Sequence, residues 1–214
     1  MQILSVNVAL PQQVQVGRAT VLTSIFKRPV SGRVGIRRHN LEGDRQSDLT
    51  VHGGTYKAVY AYASEHYPLW RTELAPQELP FGMFGENLTL EGLLETEAHI
   101  GDQFRVGSAL LQVTQPRMPC FKLGIRFGRP DIVKRFWMSD RPGIYFSVLE
   151  EGDVATGDRV ELVARDPQNV SVTDVVRLYR GVEMDHQILE RALRAPLFGG
   201  WLEGIRQRQA ESDL

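Results

Sequence analysis

The spacing of apolar residues divides the chain into a strand-rich part and a helical part. From Met1 to about Ala164, apolar and polar residues alternate in short runs such as Leu4, Val6 and Val8, and glycine or proline separates the runs. Successive side chains of a β-strand point to opposite faces, so this pattern predicts many short strands joined by turns. Such an arrangement is typical of a β-barrel or a β-sandwich.

Two similar phrases each predict a turn that opens into a strand. Gly101-Asp102 precedes the alternating run 103–106, and Gly157-Asp158 precedes the run 159–162. Gly107-Ser108 then joins the first run to another apolar run at 109–114. Glycine and serine are common turn residues, so the two runs are predicted to form a hairpin.

Two helices are predicted inside the strand-rich part. The first begins near Ser64, a residue type that often caps a helix, and the second begins at Pro130, a favoured first helical position. Each helix has one apolar face, which predicts packing in the core rather than chemistry. These faces consist of Tyr67, Trp70 and Leu74 in the first helix, and of Ile132, Val133 and Phe136 in the second.

Beyond a polar linker at residues 165–169, the apolar residues follow a helical period. Three stripes are separated by Gly181 and Pro196: Val172, Val175, Val176 and Tyr179; then Ile188, Leu189, Ala192 and Leu193; then Phe198, Trp201, Leu202 and Ile205. Short helices are unstable alone, so the three should pack as a bundle or against a partner. The predicted organisation is a strand-rich domain, 1–165, followed by a three-helix domain, 169–214.

Composition excludes several classes of protein. A chain of 214 residues can bury a substantial core, and its one cysteine excludes an intrachain disulfide and a CxxC metal site. The net charge of −1 gives no overall basic field for nucleic acid or a membrane surface. None of the five histidines pairs with another at metal-ligand spacing. No signal peptide or transmembrane run is recognisable, so a cytoplasmic location is expected.

The single cysteine, Cys120, has a cation close on each side, Arg117 and Lys122, and two prolines before it, Pro116 and Pro119. Prolines stiffen the backbone, and nearby cations favour the thiolate, which acts as nucleophile or metal ligand. The segment follows a predicted strand, so the thiol should lie on a loop that leaves the sheet. The alternative is a packing role, since free cysteine often behaves as a small apolar residue.

A second candidate for chemistry is a basic segment between residues 27 and 38. It contains no acidic residue and five cations: Lys27, Arg28, Arg33, Arg37 and Arg38. Such a run is either a solvated charged surface or a site for phosphate or carboxylate. Further along the chain, Arg45, His52 and Lys57 add hydrogen-bond donors, with His52 as a core histidine left open as an alternative. Asn87 either shapes its turn or hydrogen-bonds a ligand.

Several phrases of the chain belong together. They are Gly43-Asp44-Arg45-Gln46, Val51-His52-Gly53-Gly54, Lys57-Ala58-Val59-Tyr60, Gly85-Glu86-Asn87-Leu88-Thr89, and Gln115-Pro116-Arg117 with Pro119-Cys120-Phe121-Lys122-Leu123. In this order they resemble the MOSC domain, which is found at the C-terminus of molybdenum-cofactor sulfurases. The resemblance extends to the bacterial stand-alone, YiiM-like branch, which also has a three-helix C-terminal domain.

The resemblance implies a MOSC-type β-barrel that binds the molybdenum cofactor, a pterin dithiolene with a phosphate. It implies an oxidoreductase that reduces N-hydroxylated compounds such as 6-hydroxylaminopurine, with electrons from a separate reductase protein. The alternative function is a carrier of cofactor or of persulfide sulfur without turnover. Whether the C-terminal helices dock the reductase, close one end of the barrel or form a homodimer stays open.

Individual site residues also follow from the resemblance. Cys120 matches the cysteine that ligates molybdenum, which makes it the catalytic and metal-binding residue. Lys27 and Arg45 match positions that hold the cofactor phosphate in the mitochondrial amidoxime-reducing component. Three residues match positions that line the pterin and metal pocket of that relative: Asn87, Arg117 and Tyr145. His52 belongs to the YiiM-like motif. The turn before Asn87 has Gly85-Glu86 where the relative has an arginine.

Overall fold

The computed structural model describes residues 1–48, 52–75, 78–182, 185–198 and 200–212, and over these ranges the chain is a mixed α/β protein. The strands are β1 (Gln2–Val8), β2 (Gln12–Val16), β3 (Ala19–Thr23), β4 (Arg28–Pro29), β5 (Val34–Arg37), β6 (Asn40–Leu41), β7 (Val59–Ala63), β8 (Leu88–Glu91), β9 (Gln103–Val106), β10 (Ala109–Pro116), β11 (Ile144–Glu150), β12 (Gly152–Val154) and β13 (Val160–Ala164). The helices are α1 (Tyr67–Glu73), α2 (Phe121–Phe127), α3 (Asp131–Met138), α4 (Val172–Arg180), α5 (His186–Arg194) and α6 (Trp201–Ser212), with short 3₁₀ helices at Thr55–Lys57 and Ser64–His66.

One large sheet forms the centre of the strand-rich part. Its eight strands follow the order β13-β9-β10-β11-β7-β8-β1-β4, and β7 with β8 is its parallel pair. Near one edge, the Val160 amide donates to the Met1 carbonyl and the Ile3 amide to the Asp158 carbonyl, each at 3.0 Å. These bonds bring the starts of β13 and β1 together. The strand ladders nevertheless leave the sheet open, so the predicted closed barrel is not confirmed.

The predicted hairpin is confirmed, and the first predicted strand is corrected in detail. Strands β9 and β10 pair antiparallel with Val106 opposite Ala109, and β13 pairs with the other edge of β9. In β1, however, Ile3 and Val6 are fully buried, while Leu4 is only half-buried. A register shift between Ile3 and Ser5 interrupts the simple alternation, as a β-bulge does.

Helix α1 has the predicted buried face but a different start. Tyr67, Trp70 and Leu74 are all buried, as predicted. Ser64 begins a 3₁₀ turn and does not cap the helix, because its hydroxyl donates to Glu65 Oε2 at 3.2 Å. The predicted N-cap is therefore wrong, and α1 begins at Tyr67.

Helix α3 lies one residue later than predicted. Pro130 is its N-cap residue, and Asp131 is its first helical residue. Ile132 and Phe136 are buried and Val133 is partly buried, so the predicted apolar face is confirmed. With α1 and α2, this helix covers an aromatic cluster that lies beside the site.

The three C-terminal helices are present as predicted. Ser171 and Asp174 form a capping box at the start of α4: Ser171 Oγ accepts from the Asp174 amide, and Asp174 Oδ2 accepts from the Ser171 amide. The buried residues of α4, including Val175 and Val176, belong to the same hydrophobic cluster as the strands. The helices thus pack on the sheet, and a division into domains 1–165 and 169–214 stays a prediction. None of the described helices has the length and apolar content needed to cross a bilayer.

Candidate functional site

Cys120 lies where β10 ends and α2 begins. The strand finishes at Pro116, and Cys120 is the N-cap residue of α2, with an extended backbone. The thiol therefore lies on a loop that leaves the sheet, as predicted, although the helix after it was not predicted. Cys120 is half-buried and lines a cleft, which does not support a purely packing role.

The cleft contains about 660 Å³ of space, including its open mouth, and brings together distant parts of the chain. Six of the predicted site residues line it: Cys120, Lys27, His52, Asn87, Arg117 and Tyr145. Arg45 is the exception. Its side chain is exposed and is not part of the lining, while its backbone amide donates to the Ala9 carbonyl at 3.1 Å. The expectation that Arg45 holds the cofactor phosphate is therefore not supported by its position.

Cys120 and His52 face each other across the cleft. The distance from Cys120 Sγ to His52 Nε2 is 3.5 Å, within hydrogen-bond reach for sulfur. Burial lowers the pKa of His52, and the nearby charges of Lys122, Arg117 and Lys57 lower it further, so the ring is neutral at pH 7. His52 Nδ1 is buried without a hydrogen-bond partner among the described residues. His52 is therefore a lining residue of the cleft rather than a core histidine; Val51 of the same motif lies outside the described residues.

A buried ion pair holds another wall of the cleft. Lys27 Nζ bonds to Asp44 Oδ1, and both side chains are buried. The other oxygen of Asp44 accepts from Asn87 Nδ2 at 2.9 Å, and the Ala9 amide donates to Oδ1 at 2.8 Å. Burial lowers the pKa of Lys27, whereas the charge of Asp44 raises it. Asp44 thus orients two predicted site residues, Lys27 and Asn87, that come from separate segments.

The rest of the basic segment does not contribute to this cleft. Arg33 forms ion pairs with Asp153 and Asp158, and Arg37 pairs with Glu42, all at partly exposed positions. Of the five cations between residues 27 and 38, Lys27 is the one that lines the cleft. The basic segment therefore contains one residue of the cleft lining, Lys27, and arginines that pair with acids on the surface.

Arg117 lies at the base of the site. It is buried and donates to the Phe84 carbonyl and, at 3.3 Å, to the Tyr60 hydroxyl. Its guanidinium lies 4.8 Å from the centre of the Tyr60 ring, which is a cation–π distance. Tyr145 lies opposite Tyr60 on the neighbouring strand, with ring centres 5.1 Å apart. Burial raises the pKa of Tyr60, so its phenol stays protonated and holds Arg117 in place.

Glu86 shapes the turn that presents Asn87. Its fully buried carboxylate accepts hydrogen bonds from four groups: the Tyr67 hydroxyl, the Gly82 amide, the Phe84 amide and the Thr89 hydroxyl. Gly85 in this turn has φ +80, and a Cβ there would lie 2.6 Å from Ile25 Cδ1. Glu86 therefore acts inside the turn and does not replace the arginine of the mitochondrial relative as a cleft contact.

Two lysines complete the charge of the cleft. Lys57 and Lys122 line it, and Lys122 Nζ donates to Ser47 Oγ at 2.9 Å. Together with Lys27 and Arg117 they give four cations, against Asp44 as the one acid among the described lining residues. The sequence indicates Lys57 as a hydrogen-bond donor and Lys122 as a cation beside Cys120, but it does not assign either lysine a contact with the cofactor. The net positive lining attracts anions.

The chain is similar to several known proteins. The profile of the MOSC domain matches residues 48–161. The chain is 41% identical to the uncharacterized protein YflK of Bacillus subtilis strain 168 over 208 residues, which cover 97% of this chain and 94% of YflK. It is 32% identical to a protein named reductase from Gibberella moniliformis over 191 residues, covering 88% of this chain and 34% of that protein.

A solved structure extends the likeness to the fold. The crystal structure of YiiM from Geobacillus stearothermophilus is similar with a TM-score of 0.79 and 32% identity, covering 97% of this chain and 98% of YiiM. The profile match includes His52, Asn87, Arg117 and Cys120, and the structural match covers nearly the whole chain. The chain therefore belongs to the MOSC domain family.

Proposed function

We propose that this protein binds the molybdenum cofactor in the cleft and reduces N-hydroxylated compounds, with hydroxylaminopurines as the substrate class. The observation on which this depends is the half-buried Cys120 in a cleft whose described lining residues include four cations and one acid. A thiol that can ligate the metal and cations that can bind the phosphate fit the cofactor that the MOSC resemblance implies. Membership of the MOSC domain family supports the same assignment.

The donor set fits a metal that brings most of its own ligands. Thiolate sulfur is a soft ligand of the kind that suits metals in sulfur-rich sites. Among the described residues, no group of three histidine, cysteine, aspartate or glutamate side chains could hold a metal ion. A metal bound by Cys120 would therefore need further ligands from a bound molecule, and a dithiolene supplies them.

The cations fit the phosphate of the cofactor. Lys57 and Lys122 line the cleft, and Lys27 lies on a wall of it with part of its charge balanced by Asp44. Lysine binds phosphate as a compact point charge, so more than one of these ammonium groups can contribute. We infer that Lys27, Lys57 and Lys122 hold the phosphate, in place of the expected pair of Lys27 and Arg45.

When bound, the cofactor supplies two-electron redox chemistry, and the protein supplies position and electrostatics. Reduction of R–NHOH to R–NH₂ consumes two electrons and two protons and releases water as the N–O bond breaks. Cys120 would hold the metal, and Arg117, fixed by Tyr60 and the Phe84 carbonyl, would stabilise negative charge beside it. The open cleft admits the substrate and protons from solvent, and a separate reductase protein supplies electrons.

The test compares cofactor-loaded and cofactor-free protein made in hosts that can and cannot synthesise the cofactor. Each preparation is given 6-hydroxylaminopurine and a chemically reduced viologen dye as electron donor, and adenine is measured by chromatography. We expect adenine formation in proportion to the molybdenum content, and none without metal. Equal turnover by the metal-free protein would refute the proposal.

The Cys120 thiol in the cleft lining also favours a second candidate function, a persulfide carrier. In that case Cys120 would carry sulfane sulfur, and the protein would show no turnover. Mass spectrometry separates the two functions, because a persulfide adds about 32 daltons and is removed by thiols. A labile adduct on Cys120 in protein without molybdenum would favour the carrier.

A further inference from the structure

Ser24 is a lining residue of the cleft that the MOSC-like phrases do not include. It lies between β3 and β4, three positions before Lys27. Its hydroxyl oxygen is buried and has no hydrogen-bond partner among the described residues. His52 Nδ1 shares both properties, so among the described residues two buried polar side-chain atoms of the cleft lining lack a hydrogen-bond partner.

Unpartnered buried polar groups are rare in folded proteins because each loses its hydrogen bonds to water. When such a group lines a ligand cleft, binding the ligand is a physical reason for its position. The hydroxyl of serine moves by rotation about a single side-chain bond, so it can turn towards a ligand without a change in the backbone.

The segment that contains Ser24 is held at two points. The Ile25 amide donates to Thr23 Oγ1 at 3.2 Å, and this hydrogen bond spans Ser24. The segment also packs against the turn at residues 82–87: a Cβ on Gly82 would lie 2.8 Å from the Lys27 carbonyl oxygen. Ser24 and Lys27 thus lie on one short segment that lines the cleft, and Lys27 is one of the residues expected to hold the phosphate.

We propose that the Ser24 hydroxyl donates a hydrogen bond to a phosphate oxygen of the bound molybdenum cofactor, beside Lys27. The inference rests on the proposed function, since it names a further contact for the same ligand. Hydroxyl groups are common phosphate-binding donors, and an adjacent ammonium strengthens the site by adding opposite charge.

The test uses Ser24→Ala with Thr173→Val as a matched control. Thr173 also has a buried hydroxyl without a partner among the described residues, but it lies in α4 and does not line the cleft. The wild-type protein and both variants are made in a cofactor-synthesising host, and the loss of molybdenum and pterin during dialysis is followed by elemental analysis and pterin fluorescence. The thermal unfolding of each cofactor-free protein is measured in parallel.

Ser24→Ala should weaken cofactor retention without lowering the stability of the cofactor-free protein. We expect cofactor loss about two- to tenfold faster than in the wild type, the effect of one hydrogen bond, while the cofactor-free variant is at least as stable. Thr173→Val should also be at least as stable but should lose cofactor at the wild-type rate. Unchanged retention in Ser24→Ala, or faster loss together with a less stable cofactor-free protein, would overturn the proposal. Wild-type protein without any molybdenum would instead overturn the proposed function itself.

Discussion

The Cys120 sulfur lies 3.5 Å from Nε2 of His52, although the two residues are 68 positions apart in the sequence. Cys120 is the N-cap residue of α2, and His52 lies in the loop before the 3₁₀ helix at Thr55–Lys57. Two motifs that are separate in the sequence thus form one site.

The buried Lys27–Asp44 pair should contribute more to stability than a surface pair. In Asp44→Ala the buried ammonium of Lys27 loses its counter-charge, so we expect the free energy of unfolding to fall by about 3–5 kcal/mol. The double variant Lys27→Met with Asp44→Ala should recover part of this loss, because no charge remains buried. Chemical denaturation measures both values.

The control for this pair is Asp153→Ala, which removes a partly exposed partner of Arg33. Surface pairs typically contribute about 0–1 kcal/mol, so the change should be small. If Asp44→Ala were no more destabilising than Asp153→Ala, the role of Asp44 in holding Lys27 and Asn87 would be wrong.

Glu86 should be needed for the geometry of the Asn87 turn. Glu86→Gln replaces one of the two carboxylate oxygens, which together accept four hydrogen bonds, with an NH₂ group that cannot accept. At least one buried donor therefore loses its acceptor. We expect a loss of about 2 kcal/mol or more in denaturation experiments, together with weaker molybdenum retention. Glu91→Gln at an exposed position is the control and should stay within about 0.5 kcal/mol of wild type. A Glu86→Gln protein as stable as this control contradicts the prediction.

The sequence was most informative where one local pattern determined one local structure. Alternation and turn residues predicted the β9–β10 hairpin, and helical periodicity predicted α4 to α6. The predicted start of α1 is wrong because the Ser64 hydroxyl donates to the Glu65 carboxylate and does not accept from a helix amide. Helix α2 was missed because prolines before Cys120 suggested a loop, and they do not reveal that a helix follows it.

Lys57 and Lys122 should contribute more to cofactor retention than Arg45. Lys57→Gln and Lys122→Gln each remove a positive charge from the cleft lining, whereas Arg45→Gln removes an exposed charge outside it. We expect each lysine variant to lose molybdenum faster than the wild type during dialysis, with an effect that decreases at high salt. Arg45→Gln should behave like the wild type. A larger effect of Arg45→Gln would restore the role that the sequence suggested for it.

The C-terminal segment should support the 3₁₀ helix that contains Lys57. The rings of Tyr56 and Phe198 stack with centres 3.7 Å apart and an interplanar angle of 12°. Tyr56→Ala, Phe198→Ala and the double variant form a double-mutant cycle, for which we expect a coupling of about 0.5–1.5 kcal/mol. Chemical denaturation of the four proteins gives this value. Additive effects would mean that the stack does not couple the two segments.

Which residues form the site depends on contacts between segments that are distant in the sequence. Local sequence patterns do not predict such contacts. Asp44 was part of a recognised phrase, but its role appears only when Lys27 and Asn87 are seen to share its carboxylate. Conversely, Lys27 and Arg33 look alike in the sequence, and only the fold directs one to the cleft and the other to surface acids. Charge runs therefore predict the presence of cations but not the surface that each one reaches.

The most direct test is the molar ratio of molybdenum to protein, measured by elemental analysis after production in a cofactor-synthesising host. Wild type is compared with Cys120→Ser and with Met138→Leu, which removes an exposed sulfur from α3 outside the cleft lining. We predict a ratio approaching one for the wild type and Met138→Leu, and a severalfold lower ratio for Cys120→Ser with an unchanged unfolding temperature. Molybdenum-free wild-type protein, or full molybdenum in Cys120→Ser, would contradict the assignment of this cleft as a molybdenum-cofactor site.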